Sequence, residues 1–141
     1  MKNFDNLFRT FHEECHYSHI PLSLDRCRHA YNVAKANPRG TMFIREKITD
    51  EGIVGLFIGS IVPMFFSEET QAQDLLFYVM PEHRGTPWFV RTLKEFEQWA
   101  KEKGAAQVVL YTDTGINPDK LKTFLTRSDY IQSGRCFNKE I

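Results

Sequence analysis

The chain has 141 residues, enough for one compact domain and too few for two of ordinary size. Its 18 basic and 18 acidic side chains cancel, which argues against a surface built around phosphate-backbone attraction, and an apolar fraction of 42% argues against global disorder. Twelve Phe, five Tyr and two Trp predict a large aromatic core or an apolar cleft.

Phe4, Leu7, Phe8, Phe11 and Cys15 recur at helical spacing, so residues 4–17 read as an amphipathic helix. The N-terminal residues lack the apolar run of a signal peptide, and the longest apolar stretch, Ile53 to Phe66, is broken by Gly55, Gly59, Ser60 and Pro63, too short and interrupted to span a bilayer. Cys15, Cys27 and Cys136 are odd in number and widely spaced, which predicts no disulfide framework and a reducing, cytoplasmic setting. Leu24, Cys27, Ala30, Tyr31 and Ala34 mark a second helix, with Ser23 as its N-cap and an end before Pro38-Arg39-Gly40.

Ile, Val and Phe then dominate. Strands are predicted over Thr41–Glu46 and Gly52–Phe66, joined by a turn at Thr49-Asp50-Glu51-Gly52. Ser67–Gln73 reads as a polar loop and Leu75–Met80 as a third strand. Phe89, Leu93, Phe96 and Ala100 continue as a helix that stops at Gly104. Val108–Thr112 is a short, nearly all-apolar strand, residues 118–127 a short helix, and Tyr130–Lys139 a closing strand. Leu75 to Thr112 is thus a β-α-β crossover whose strands are expected to be parallel, in a single α/β (α+β) domain over 1–141 with a mixed sheet.

The strand-turn-helix at 75–103 carries the chemistry. A loop entering a helix presents unpaired N–H groups and a positive helix end, which attract phosphate; Arg84 adds a charge, and Gly85 allows close backbone approach. Val79, Pro81, Arg84 and Gly85 match V-x-P-x-x-R-G-x-G-x-G/A, and the chain resembles the Gcn5-related N-acetyltransferases (GNAT) over nearly its whole length. More loosely, it is similar to acetyltransferase-like proteins of tailed bacteriophages. The resemblance implies a mostly antiparallel sheet with a splayed parallel strand pair and flanking helices. It also implies acetyl-CoA as cosubstrate, an amine-bearing acceptor, and a location in the cytoplasm, the host's if the protein is phage-encoded. Tyr78, Val79, Met80, Arg84, Gly85, Thr86, Trp88, Phe89, Asn117 and Phe124 would line the cofactor, the pyrophosphate lying over Arg84–Trp88. Asp74, or Glu69, would be the general base, with His83 near the substrate.

Three departures stand out. Pro87 and Phe89 replace small residues, Pro87 removing a backbone donor. Phe124 or Leu125 falls where the family's last helix carries a proton-donating tyrosine, leaving Tyr130 as the substitute acid or as a core residue. A catalytically reduced binding or virion-assembly protein is therefore the second reading, with a homodimer or virion partner. Tyr17, Tyr31, Phe66 and Phe137 are candidates for the acceptor pocket. A remote third reading is a zinc peptidase, since His12-Glu13-Glu14-Cys15-His16 fits H-E-x-x-H. Arg26, Arg28, Arg39 and Arg45 are scattered among acids without interleaved aromatics, so no nucleic-acid surface is expected.

Overall fold

The computed structural model describes residues 1–111 and 114–141. Helices α1 (Phe4–Glu14) and α2 (Leu24–Ala36) precede strands β1 (Met42–Thr49), β2 (Gly52–Pro63) and β3 (Thr70–Val79). After a single 3-10 turn at Pro81–His83 come α3 (Trp88–Glu102), β4 (Gln107–Val109) and α4 (Pro118–Arg127). The sheet order is β1-β2-β3-β4, antiparallel except for the parallel β3–β4 pair. The mixed sheet and its parallel crossover are as expected; Thr112, the expected end of β4, lies outside the described residues.

β2 is buried from Gly52 to Ser60 and is the spine of the domain. One face of the sheet packs against α1 and α2 through Phe4, Leu7, Phe8, Ala34, Ile53 and Leu56. The other packs against α3 and α4 through Phe43, Phe57, Leu93, Phe96, Ala100 and Leu125. Two glycines decide local fit. A Cβ on Gly52, which has φ of 106°, would meet the Lys2 carbonyl oxygen at 2.3 Å, and one on Gly59 would meet Phe96 Cε2 at 2.5 Å. Bare backbone at these positions lets the N-terminus and α3 close down on β2.

Three sequence expectations are corrected. α1 ends at Glu14, because the His16 N–H bonds Thr114 O at 2.6 Å and so forgoes the helical bond to His12 O. β3 begins at Thr70: Gln71–Gln73 pairs with β2 on one side and β4 on the other, and Gln107 Nε2 donates to Gln71 Oε1 at 3.0 Å. Polar strand residues of this kind escape a reading based on apolar runs. Finally, 130–139 forms no strand. Gln132-Ser133-Gly134-Arg135 breaks any continuous apolar face, and Ile131 and Phe137 are 90% and 91% exposed.

Candidate functional site

Among the described residues β3 and β4 pair over three registers, Gln71↔Gln107 to Gln73↔Val109. The register against β2 then skips Leu75, which leaves that side chain 57% exposed. At the same point the Asp74 carboxylate, rather than a strand carbonyl, accepts the Tyr111 N–H at 2.8 Å. Among the described residues the β3–β4 pairing stops at Gln73, and the split that this leaves between Leu75–Val79 and Leu110–Tyr111 is termed the wedge. Met80 N–H is bonded to Val54 O on β2 at 2.9 Å, so strand alternation turns the N–H and C=O of Phe77 and Val79 toward the wedge.

The loop above the wedge is tightly wound. His83 N–H bonds Met80 O at 2.9 Å, Arg84 N–H bonds Pro81 O at 3.3 Å, and Gly85 adopts φ of 80° with no atom within 4 Å of where a Cβ would be. Gly85 is required by its conformation, and its surroundings are open. The bond from Arg91 N–H to Pro87 O at 3.0 Å begins the α3 ladder, so the N–H groups of Trp88, Phe89 and Val90 lie at the unsatisfied end of the helix. Lys47 Nζ donates to His83 O at 2.8 Å and to Thr86 Oγ1 at 2.6 Å, which adds an ammonium to this loop.

Arg84 departs from its expected direction. Its Nε donates to Val79 O at 2.8 Å, and its Nη1 and Nη2 donate to the two carboxylate oxygens of Glu14, each at 2.7 Å. Glu14 Oε2 also accepts the Tyr78 hydroxyl at 2.6 Å. The hydrogen bond from Arg84 holds the Glu14 carboxyl below its ordinary range despite partial burial, and Tyr78 assists. Burial first, then the Glu14 hydrogen bond, pushes the Tyr78 phenol up. The Tyr78 side chain belongs to the α1 side of the core and not to the wedge.

Phe89 and Phe124 point inward. The Phe89 ring stacks on Phe77 at 4.2 Å and meets Phe124 edge-on at 5.2 Å, and Trp88 lies 6.1 Å from Phe77. The bulk at 88, 89 and 124 thus fills the layer under α3 and α4 and leaves the first-turn N–H groups uncovered. Asn117, with φ of 46°, caps α4 through its backbone and makes no side-chain cap bond. The Tyr130 hydroxyl donates to Glu97 at 3.3 Å, and burial, then the charge of Glu97, raises its pKa, with Asp74 adding to the effect. Tyr130 packs on the α3–α4 side of the core, and Asp74 stands just past the last β3–β4 pair, at the foot of the wedge. Glu69 precedes β3 at the far end of the strand, and the His83 ring pairs with Glu51 at 3.2 Å.

The acceptor residues do not come together. Tyr31 packs on Phe4 and donates to Glu46, Phe66 sits on the β2–β3 turn away from the wedge, and Phe137 is on the exposed tail. Tyr17 remains near the α1 end, edge-on to His16. The zinc reading fails on geometry: His16 lies beyond the helix, His12 Nε2 is 2.5 Å from Ile20 O, and no group of three or more metal-ligating side chains occurs among the described residues. No helix among those residues is long and apolar enough to cross a membrane. Glu14 and Lys47 were not singled out from the sequence. Glu14 meets Arg84 across 70 positions, with no local signal, whereas Lys47 faces Gly55, which in turn faces Val79.

No family model and no curated relative matches the sequence significantly. Solved structures do match in fold. A GNAT family acetyltransferase from Staphylococcus aureus aligns with 99% of this chain and 92% of its own, at a TM-score of 0.63 and 16% identity. An aminoglycoside acetyltransferase from an uncultured soil metagenomic sample, in complex with sisomicin, gives 0.66 and 17% over 99% and 88% of the two chains. A structure described as a transcriptional regulator from Bacillus halodurans gives 0.73 and 17% over 99% and 93%. At these identities the likeness establishes the fold: this chain has the GNAT fold.

Proposed function

We propose that the chain is an acetyl-CoA-dependent N-acetyltransferase acting on a primary amine. The observation that carries this reading is the end of β3–β4 pairing at Gln73 among the described residues, which leaves Leu75–Val79 paired with β2 alone just before the turn that leads to the uncapped N-terminus of α3. The backbone edge of Phe77 and Val79 suits an extended amide-bearing arm such as pantetheine. The N–H groups of Gly85, Thr86 and Trp88 to Val90, the helix end and Lys47 suit a pyrophosphate. Acetyl-CoA supplies an acyl group on a good thiolate leaving group. The chain's part is to align amine and thioester and to meet the developing oxyanion with a wedge-facing backbone N–H such as that of Val79.

Asp74, at the foot of the wedge, is the proton acceptor for the attacking amine. Tyr130 stays protonated, donates to Glu97 and packs in the core, so the departing thiolate takes its proton from solvent. Arg84 acts by holding the loop, since its side chain is committed to Val79 O and Glu14.

The acceptor is an amine whose site is bordered by the α1 end and the segment after β4. Phe124, where the family's tyrosine is expected, favours a second reading: a domain that binds CoA without efficient transfer, serving as a binding or virion-assembly module. Calorimetric titration separates these from a non-binding domain. Acetyl-CoA and CoA are both expected to release heat and raise the melting temperature; neither effect at about 1 mM ligand, a concentration that detects even weak binding, would refute the proposal.

A further inference from the structure

An exposed ion pair ordinarily contributes little, because solvent screens it and two long side chains must be ordered. The Glu14–Arg84 pair is of another kind. It is bidentate, both side chains are less than a third exposed, and the same carboxylate takes the Tyr78 hydroxyl. Arg84 closes the circuit by donating its Nε to Val79 O. The last residue of α1 is thereby tied to two points: the end of β3, through Tyr78 and Val79, and the loop that enters α3, through Arg84.

The other ties of the loop run to the β1–β2 hairpin: Lys47 touches it at His83 O and Thr86 Oγ1, and the His83 ring pairs with Glu51, while Gly85 has no packing neighbour. Arg84 is the tie from this loop to α1, so the angle at which Gly85, Thr86 and Trp88 to Val90 present their N–H groups depends in part on Arg84, and Arg84 depends on Glu14. The carboxylate accepts from both Arg84 and Tyr78, so both of its oxygens are committed to anchoring.

We propose that Glu14 is a positioning residue for the loop of the cofactor site, acting through Arg84 without touching the ligand. The inference rests on the reading of that loop as the seat of the CoA pyrophosphate. It also makes α1 part of the cofactor site.

The test is a double-mutant cycle on Glu14→Ala and Arg84→Ala, read by CoA affinity and by the KM for acetyl-CoA. Each single variant is expected to weaken CoA roughly tenfold, and the double variant no further, as for neighbours acting as one unit. KM is expected to rise while kcat at saturation stays within about twofold, the pattern of lost binding and not of lost chemistry. Glu14→Gln, which retains acceptor oxygen for Arg84 and Tyr78, is expected to recover part of the affinity. Tighter CoA binding by Glu14→Ala would overturn the inference, because it would mean that the freed guanidinium reaches the phosphates. Additive losses would overturn it equally.

Amide hydrogen exchange of residues 80–87 without ligand keeps the two proposals apart. Faster exchange in Glu14→Ala sustains the anchoring role even if the wild-type chain binds no CoA, a result that would sink the acetyltransferase reading alone. Unchanged exchange in a folded Glu14→Ala variant overturns the anchoring role.

Discussion

The two halves of β3 are built from one continuous strand and used in opposite ways. From Gln71 to Gln73 the strand is paired on both sides, with Ala72 buried in the core and Gln71 bonded to Gln107 across the β3–β4 pair. From Leu76 to Val79 it is paired with β2 alone, and its other edge faces the wedge. The change takes place at two residues. Leu75 is skipped in the register, and Asp74 substitutes a carboxylate for the strand carbonyl that would have continued the parallel ladder. An opening in a sheet thus requires no gap in the core. It requires one extra residue and one side chain able to satisfy the backbone group that the departing strand leaves behind.

If that division is right, damage under the closed half should cost stability and spare binding chemistry. Phe96 is fully buried against Gly59, Phe43 and Phe57. Phe96→Ala is expected to lower the unfolding free energy by about 3–5 kcal/mol, as measured by denaturant titration. The residue at the junction should behave differently. Asp74→Asn keeps an oxygen for the Tyr111 N–H, so stability should change by no more than about 1 kcal/mol, while acetyl transfer falls by about a hundredfold or more through loss of the base. Steady-state rates on a purified, folded variant check this, and an unchanged rate would remove Asp74 from the mechanism.

The open half should also reveal its anchor in acid. Because the folded-state Glu14 carboxyl is held below its ordinary value of 4.5, its contribution to stability is complete above that value and is lost as pH falls through the depressed one. Melting temperatures of wild type and Glu14→Gln are expected to differ at neutral pH and to converge at the acid end of a pH series. The smallest effect belongs to Lys47, which lies on the rim. Lys47→Met should leave stability within about 0.5 kcal/mol and weaken CoA by a few-fold, more at low salt than at high salt.

Much of this division could be read from the residues. Apolar periodicity located α1, α2 and α3, and the Val79–Gly85 segment identified the strand-turn-helix, because turn chemistry and helix spacing are local properties. The start of β3 was missed since Thr70–Gln73 carry strand pairing on polar side chains. The expected strand at 130–139 does not form because Ile131 and Phe137 meet no partner surface, while Tyr130 alone packs on the core. The direction of Arg84 was also out of reach: a guanidinium beside a phosphate-binding loop and one locked to Glu14 look the same along the chain. Conversely, Phe89 reads along the chain as bulk in the phosphate loop, yet its ring turns inward onto Phe77 and Phe124.

The most direct test of the central claim is an amide chemical-shift titration with CoA. The account predicts the largest shifts at Phe77, Val79, Gly85, Thr86, Trp88 to Val90, Leu110 and Tyr111, with Gln71–Gln73 and the Phe65–Phe66 turn unmoved. Saturable shifts centred on the closed half of β3, or on the outer groove of α3 between Arg45 and Trp99, would contradict it, as would a spectrum that CoA leaves unchanged.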